Sequence, residues 1–152
     1  MRKNGFTLTE IVMVVMLLGV MAAVTIPRLN FAVVHQSEAR GEARRLVAEL
    51  RRVRSMAVRD AATNNKGFEM VMESTGVCTG YDIDDLDAPP ETVDTYTFND
   101  NVTVNAGNLK YSFGPLGNLT KGQGTEITVT SGSLSFTISF VTTTGAVILT
   151  ED

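Results

Sequence analysis

The first part of the chain is an almost unbroken apolar run over residues 6–26, with Pro27 directly after it. At about 1.5 Å per residue, a helix of this run is roughly 31 Å long, which matches the hydrocarbon thickness of a bilayer. The run therefore predicts a membrane-spanning helix. Arg2 and Lys3 precede it, and positive charge on that side predicts that the N-terminus stays in the cytoplasm.

Beyond Pro27 the apolar residues take the spacing of an amphipathic helix, recurring every three or four positions along one stripe. The stripe consists of Ala39, Ala43, Leu46, Leu50, Val53, Ala57 and Ala61. Proline inside a helical pattern can bend a helix without ending it, so we expect a kink at Pro27. Asn64 and Gly67 supply the stop signal. Residues 6 to about 62 are thus predicted to form one long bent helix.

After Gly67 the apolar period changes to two, and β-branched residues become common, as is typical of strands. Residues 68–73 and 109–113 are predicted strands. Residues 127–140 alternate apolar and hydroxyl side chains around a turn, which predicts a hairpin, and a last strand is predicted from residue 146. Residues 81–100 are polar and acidic and are predicted to be a surface loop.

Charge is divided unevenly along the chain, although the formal net charge is only −4. Residues 28–66 contain nine basic and four acidic side chains, whereas residues 67–152 contain two basic and twelve acidic ones. Clustered arginines bind phosphate or carboxylate groups through charge and bidentate hydrogen bonds. The candidate face for an anionic partner consists of Arg44, Arg45, Arg51 and Arg52. The alternative is a solvated face whose arginines meet acidic groups of a neighbouring subunit.

Few residues suit catalysis or metal binding. The chain has one histidine, His35, and one cysteine, Cys78, so a Cys/His metal site lacks its ligands and an intramolecular disulfide cannot form. Cys78 is expected to be a buried, small apolar side chain. The aspartates of residues 82–87 do not have the spacing of an EF-hand. We therefore expect no enzyme activity, no cofactor and no metal.

Glu10 is the one charged residue of the apolar run. A charged side chain at mid-membrane costs about 2.5–3.5 kcal/mol on insertion scales, so Glu10 requires a partner. An ordinary signal peptide, cut after Ala22, is one alternative for this segment, and a plain membrane anchor is another. Neither alternative explains why a carboxylate lies within the apolar run.

Residues 5–10, GFTLTE, followed by about twenty apolar residues, resemble the class III leader of type IV pilins and type II secretion pseudopilins. The resemblance implies that a prepilin peptidase cuts between Gly5 and Phe6, that Phe6 becomes an N-methylated N-terminus, and that Pro27 kinks the helix. The Phe6 ammonium of one subunit would then pair with Glu10 of its neighbour, which offsets the cost of burying each charge. Glu10 and Pro27 are accordingly the predicted assembly residues.

The C-terminal part carries a second resemblance. The segments FGPLG (113–117), ITVT (127–130) and TGAV (144–147) look like those of H-type minor pseudopilins (GspH) and FimT-like minor pilins. The implied fold is α+β, with a long N-terminal helix packed on antiparallel sheet. Some FimT-like proteins bind DNA through basic residues near the C-terminus. Here the chain ends in Glu151 and Asp152, whose charges repel phosphate, which argues against DNA as a partner.

These observations predict four segments: a leader (1–5), a transmembrane and assembly helix (6–27), an amphipathic helix (28–65) and a β-rich head (66–152). The predicted protein is a structural subunit of a type IV pilus or a type II secretion pseudopilus, anchored in the bacterial inner membrane with a periplasmic head. Its predicted partners are other pilins or pseudopilins, the prepilin peptidase and inner-membrane lipid. Two alternatives stay open: a minor pilin that binds DNA or a surface, and a secreted β-rich protein with an ordinary signal peptide.

Overall fold

A computed structural model describes residues 7–25, 31–87 and 89–151. Within these residues the chain forms two helices, α1 (Leu8–Thr25) and α2 (Phe31–Arg59), and then ten strands. The strands are β1 (Phe68–Met72), β2 (Gly76–Cys78), β3 (Gly80–Asp85), β4 (Glu91–Thr97), β5 (Thr103–Ala106), β6 (Lys110–Phe113), β7 (Leu119–Lys121), β8 (Ile127–Ser131), β9 (Leu134–Val141) and β10 (Ala146–Glu151). The chain divides into two compact units, Met1–Val33 and Val34–Asp152.

The strands of the second unit form two five-stranded antiparallel sheets. Sheet A has the order β4-β3-β1-β6-β7, and sheet B has the order β10-β9-β8-β5-β2. The hairpins β3–β4, β6–β7, β8–β9 and β9–β10 pair strands that are consecutive in the chain. The pairs β1–β6 and β5–β8 join strands that are distant in sequence. The chain therefore passes from one sheet to the other more than once.

The apolar stripe of α2 contributes one wall of the hydrophobic core. Six of its seven predicted members are at most 1% exposed: Ala39, Ala43, Leu46, Leu50, Val53 and Ala57. Ala61 lies beyond the end of α2 and is half-buried, and Val47 and Met56 widen the stripe. Side chains of both sheets belong to the same core, among them Met70, Tyr111, Phe113, Phe136 and Ile138. The predicted stripe is confirmed.

The prediction of one long N-terminal helix packed on antiparallel sheet is wrong. The structure describes two separate helices, α1 and α2, and most of the second unit is strand, arranged as two sheets and not one. The apolar pattern of residues 6–62 was continuous enough to predict one element. It gave no information about how many sheets the remaining residues form, because that depends on pairing between distant strands.

The membrane anchor is also a wrong prediction. Among the described residues, no helix combines the length and the apolar character that a membrane span requires. Helix α1 has 18 residues, which correspond to about 27 Å, whereas a span needs about 20 apolar residues. The predicted single-pass location in the bacterial inner membrane, with a periplasmic head, is therefore not supported.

The predicted surface loop over residues 81–100 is a third correction, since β3 and β4 occupy most of it. Tyr81 and Ile83 point into the core, and the alternating Asp82 and Asp84 face hydroxyl groups of the neighbouring strand. Thr95 donates a hydrogen bond to Asp82 at 2.7 Å, and Thr92 donates one to Asp84 at 2.8 Å. The aspartates made the segment look like a polar loop, although buried and polar residues alternate in β3 as expected of a strand.

The remaining strand predictions are confirmed. Strands β1 and β6 lie within the predicted ranges 68–73 and 109–113, and β8, β9 and β10 form the expected C-terminal hairpin and last strand. The turn after α2 also follows the expected chemistry, because Gly67 has a φ of 84° and the Asn64 side chain accepts its amide hydrogen at 2.8 Å. Cys78 is buried and carries a free thiol, as expected.

Glu69 of β1 is a buried carboxylate. It lies on the face of sheet A opposite to the face that carries the core residue Met70. Its side chain is only 3% exposed, and it pairs with Lys110 at 2.6 Å and Lys121 at 3.2 Å. The Ser112 hydroxyl donates a further hydrogen bond at 2.7 Å. Burial raises the pKa of Glu69, but the hydrogen bonds from Lys110, Ser112 and Lys121 outweigh burial and hold its pKa below the ordinary glutamate value.

Replacement of Leu50 by alanine should lower the free energy of unfolding by about 2–5 kcal/mol, because it leaves a cavity in a fully buried site. Urea unfolding of the full chain, followed by circular dichroism, measures the change. Leu116→Ala is the matched control, since Leu116 is 90% exposed and should change stability by less than about 0.5 kcal/mol. Equal effects of the two substitutions would contradict the packing of α2 against the sheets.

Glu69→Gln should lower the free energy of unfolding by about 1–3 kcal/mol at pH 7, because charge-assisted hydrogen bonds are lost. A carboxyl group with a lowered folded-state pKa stabilises the fold above its unfolded pKa. That contribution disappears as the pH falls through the folded pKa. The wild type and the variant should therefore converge as the pH falls through the folded pKa of Glu69, which lies below the ordinary glutamate value. Glu126→Gln, at an exposed position, is the control, and a difference that does not change with pH would contradict the assignment.

Candidate assembly site

Helix α1 presents apolar side chains around its circumference. Its large hydrophobic residues are between 47% and 82% exposed: Leu8, Ile11, Val12, Met13, Val14, Val15, Met16, Leu17, Leu18, Val20 and Met21. A helix that is apolar all round is normally buried, and a contiguous exposed apolar surface marks an interaction site. The space around Gly19 is open, since a Cβ there would meet nothing within 4 Å. Glycine at such a place allows another backbone to approach closely.

Glu10 lies in the first turn of α1 and is exposed. Thr7 begins the helix, because its side-chain oxygen accepts the Glu10 amide hydrogen at 3.3 Å and its carbonyl accepts the Ile11 amide hydrogen at 3.2 Å. A carboxylate in the first turn is favoured by the helix dipole. No ion pair among the described residues includes Glu10. Its carboxylate is therefore available to a partner at the N-terminal end of α1.

The other predicted assembly residues cannot be placed beside it. Gly5 and Phe6, the predicted cleavage site, and Pro27, the predicted kink, lie outside the described residues. The pairing of Glu10 with a Phe6 amine, and the N-methylation of Phe6, stay predictions from the motif.

One flank of α2 contacts β4, the edge strand of sheet A. Arg52 donates to Asp94 at 2.8 Å and also to Glu49 at 3.0 Å. The guanidinium of Arg45 lies 3.5 Å from the centre of the Tyr96 ring, at the distance of a cation–π contact. The hydrogen bonds that Arg52 donates to Asp94 and Glu49 raise the pKa of Arg52, and the bond to Asp94 lowers the pKa of Asp94. The charge of Arg52 is therefore compensated within the chain, whereas Arg45 is held by an aromatic ring.

The pKa values of two tyrosines on this flank are also shifted. The Tyr96 hydroxyl donates to Glu42 at 2.9 Å, and burial together with this carboxylate raises the pKa of Tyr96. Tyr81 lies 5.5 Å from Tyr96, centre to centre. Burial, with a smaller contribution from the charge of Glu49, raises the pKa of Tyr81 to about 12. Both phenols therefore stay protonated at neutral pH and serve as packing and hydrogen-bonding groups.

The opposite flank of α2 contacts β10, the edge strand of sheet B. Arg40 pairs with Glu151 at 2.7 Å, and the Arg51 guanidinium donates to the carbonyl of Val147 at 3.1 Å. One turn further on, Arg54 Nε donates to two backbone carbonyls, those of residues 117 and 144, each at 3.0 Å. A surface cavity of about 320 Å³ lies beside these groups.

The structure thus separates the four arginines of the predicted anionic-partner face. Arg45 and Arg52 lie on the β4 flank, Arg51 lies on the β10 flank, and Arg44 is exposed between them. Arg54, which is not among the four predicted residues of the face, lies one turn from Arg51. The spacing of three residues is the signal that could have joined them, because residues three apart are neighbours on a helix.

Comparison of the chain with protein-family models, with curated proteins and with solved structures finds no match. Among the described residues, no cluster of three or more histidine, cysteine, aspartate or glutamate side chains is arranged to hold a metal ion.

Proposed function

We propose that the chain is a structural subunit of a filament of the type IV pilin or type II secretion pseudopilin kind. In this filament, copies of α1, or α1 and the corresponding helices of related subunits, pack against one another. The observation that carries the proposal is the exposure of α1, whose large apolar side chains from Leu8 to Met21 are all about half exposed or more. Burying such a surface is the dominant favourable term in association, so α1 is suited to packing against a protein partner.

The motif at the N-terminus supports the same proposal. Residues 5–10 resemble the leader at which prepilin peptidase cuts, and cleavage between Gly5 and Phe6 would create an ammonium group at the start of the mature chain. The Glu10 carboxylate lies at the same end of α1 and is exposed. Parallel packing of two copies would bring the amine of one chain near the carboxylate of the other, and the pair would favour one register.

The N-terminus of the processed protein tests the leader. After co-expression with a prepilin peptidase, intact-mass analysis should show the loss of residues 1–5 and the gain of one methyl group at Phe6. Gly5→Leu should prevent the change, because Gly5 is the residue before the proposed cut in the motif. A mature chain that begins near Ala23 would instead identify an ordinary signal peptide and would overturn the proposal.

Glu10→Gln tests the pairing while it preserves the size of the side chain. Cleavage should be unchanged, and the amount of polymer that sediments from the processed full chain should fall about tenfold or more, since truncation of one partner of a desolvated charge pair costs at least that factor. Glu126→Gln, which removes an exposed carboxylate of the second unit, should leave the polymer unchanged. Wild-type amounts of Glu10→Gln polymer would remove Glu10 from assembly.

A further inference from the structure

Arg51 and Arg54 are held in place by neutral groups. The Arg51 guanidinium donates to the Val147 carbonyl at 3.1 Å, and Arg54 Nε donates to the carbonyls of Gly117 and Thr144, both at 3.0 Å. A carbonyl orients a guanidinium but carries only a partial charge. Among the described residues, neither arginine is paired with a carboxylate. Both therefore keep their full positive charge in a fixed position.

Three other arginines of α2 form ion pairs with carboxylates of the same chain. The ion pairs are Arg40 with Glu151 at 2.7 Å, Arg52 with Asp94 at 2.8 Å, and Arg59 with Asp60 at 2.9 Å. These three charges are compensated within the chain, whereas Arg51 and Arg54 carry positive charge that is held in place on the β10 flank without a carboxylate partner among the described residues.

Arg51 and Arg54 line the 320 Å³ cavity together with Ser55, Val58 and Arg59. A guanidinium has five N–H donors, so both arginines retain donors after their contacts with the carbonyls, and the Ser55 hydroxyl adds another. A planar, bidentate acceptor such as a carboxylate matches these donors. Val58 is 48% exposed and offers apolar contact to the stem of an acidic side chain. We call this cavity the arginine groove.

The opposite situation occurs at the end of the β3–β4 hairpin. Its carboxylates belong to Asp84, Asp85, Asp87 and Glu91, and none of them forms an ion pair within the described residues. Neutral groups satisfy two of them, because Thr92 donates to Asp84 at 2.8 Å and Asn64 donates to Asp85 at 2.6 Å. These four residues form what we call the acidic hairpin end.

The two surfaces lie on different flanks of α2. The acidic hairpin end continues into β4, which contacts α2 through Asp94 and Arg52, whereas the arginine groove lies on the β10 flank. The structure places no carboxylate of the hairpin end within ion-pair distance of Arg51 or Arg54. A second copy of the chain can supply the opposite charge to each surface, carboxylates to the arginine groove and arginines to the acidic hairpin end.

We propose that the arginine groove of one copy binds the acidic hairpin end of the next copy. Because the two surfaces differ, the contact is head-to-tail, and a contact of that type produces an open filament unless its rotation closes a ring. The inference rests on the proposed assembly function and specifies which surfaces of the second unit meet. The recognised chemistry is a cluster of carboxylates on a hairpin.

Charge reversal in the full chain tests the contact. In sedimentation velocity at physiological salt, Arg51→Glu and Glu91→Lys should each raise the dissociation constant of self-association about tenfold or more, because like charges then face each other. The effect should shrink at high salt, which screens exposed charges. Arg44→Glu makes the same charge change at an exposed position outside the groove and should leave the constant unchanged.

A mixture of the two variants provides the sharper result. The Arg51→Glu chain retains a wild-type hairpin end, and the Glu91→Lys chain retains a wild-type groove, so one wild-type contact can form between them. The mixture should form heterodimers with wild-type affinity, although neither variant does so alone. Arg51→Gln removes the charge without introducing the opposite one, and it should weaken association by more than any change in its unfolding midpoint explains. This variant separates the contact from the stability of the fold.

The failures can be told apart. A wild-type chain that does not self-associate at any salt concentration overturns both this inference and the proposed function. A wild-type chain that associates, with Arg51→Glu and Glu91→Lys both equal to Arg44→Glu, overturns the groove contact alone. Absence of heterodimers in the mixture also overturns it. Binding of inorganic phosphate to the groove, with association insensitive to Arg51→Glu, would overturn it in favour of a free oxyanion.

Discussion

Burial of one face of α2 is the constraint on which the second unit depends. Leu46, Leu50 and Val53 are at most 1% exposed and share a core with side chains from sheets A and B. A helix in this position lies between β4 and β10, the edge strands that it contacts on its two flanks. Edge strands expose unpaired backbone groups. Helix α2 therefore packs against both sheets of the shared core. Its Arg51 side chain also binds one backbone acceptor, the Val147 carbonyl, on an edge strand.

A second junction links the sheets near the end of α2. The β6–β7 loop belongs to sheet A and the β9–β10 loop to sheet B, and Arg54 donates to a carbonyl in each. The loops touch so closely that a Cβ at Gly145 would lie 2.0 Å from the Gly117 carbonyl oxygen. Both glycines have positive φ, 76° at Gly117 and 66° at Gly145, which other residues adopt at a cost. Arg54 is fixed by this contact, and that rigidity preorganises its remaining donors.

The features that the sequence predicts well are those set by neighbours in the chain. The period of α2 identified its buried face, and alternation identified β8 and β9. The run 81–100 was misjudged because its aspartates are satisfied by Thr92 and Thr95 across a strand pair, which composition does not reveal. The division of the arginines between two flanks depends likewise on which strand lies beside each flank. For the candidate site, the apolar composition of α1 predicts a helix that must be covered, and the structure leaves its side chains exposed. The position of Arg54 could not be predicted, because its carbonyl partners lie in loops distant in sequence.

Association through α1 and association through the second unit would contribute different kinds of free energy. Burial of apolar side chains is large but non-directional, so the exposed surface of α1 alone would allow copies to pack in many registers. Charge contacts are weaker in water and are screened over about 8 Å at physiological salt, but they discriminate between arrangements. Glu10 at one end of α1, and the arginine groove with its acidic counterpart, would then select one register from those that the apolar helix allows. A subunit with α1 alone would aggregate, and a subunit with the charged surfaces alone would separate as the salt concentration rises.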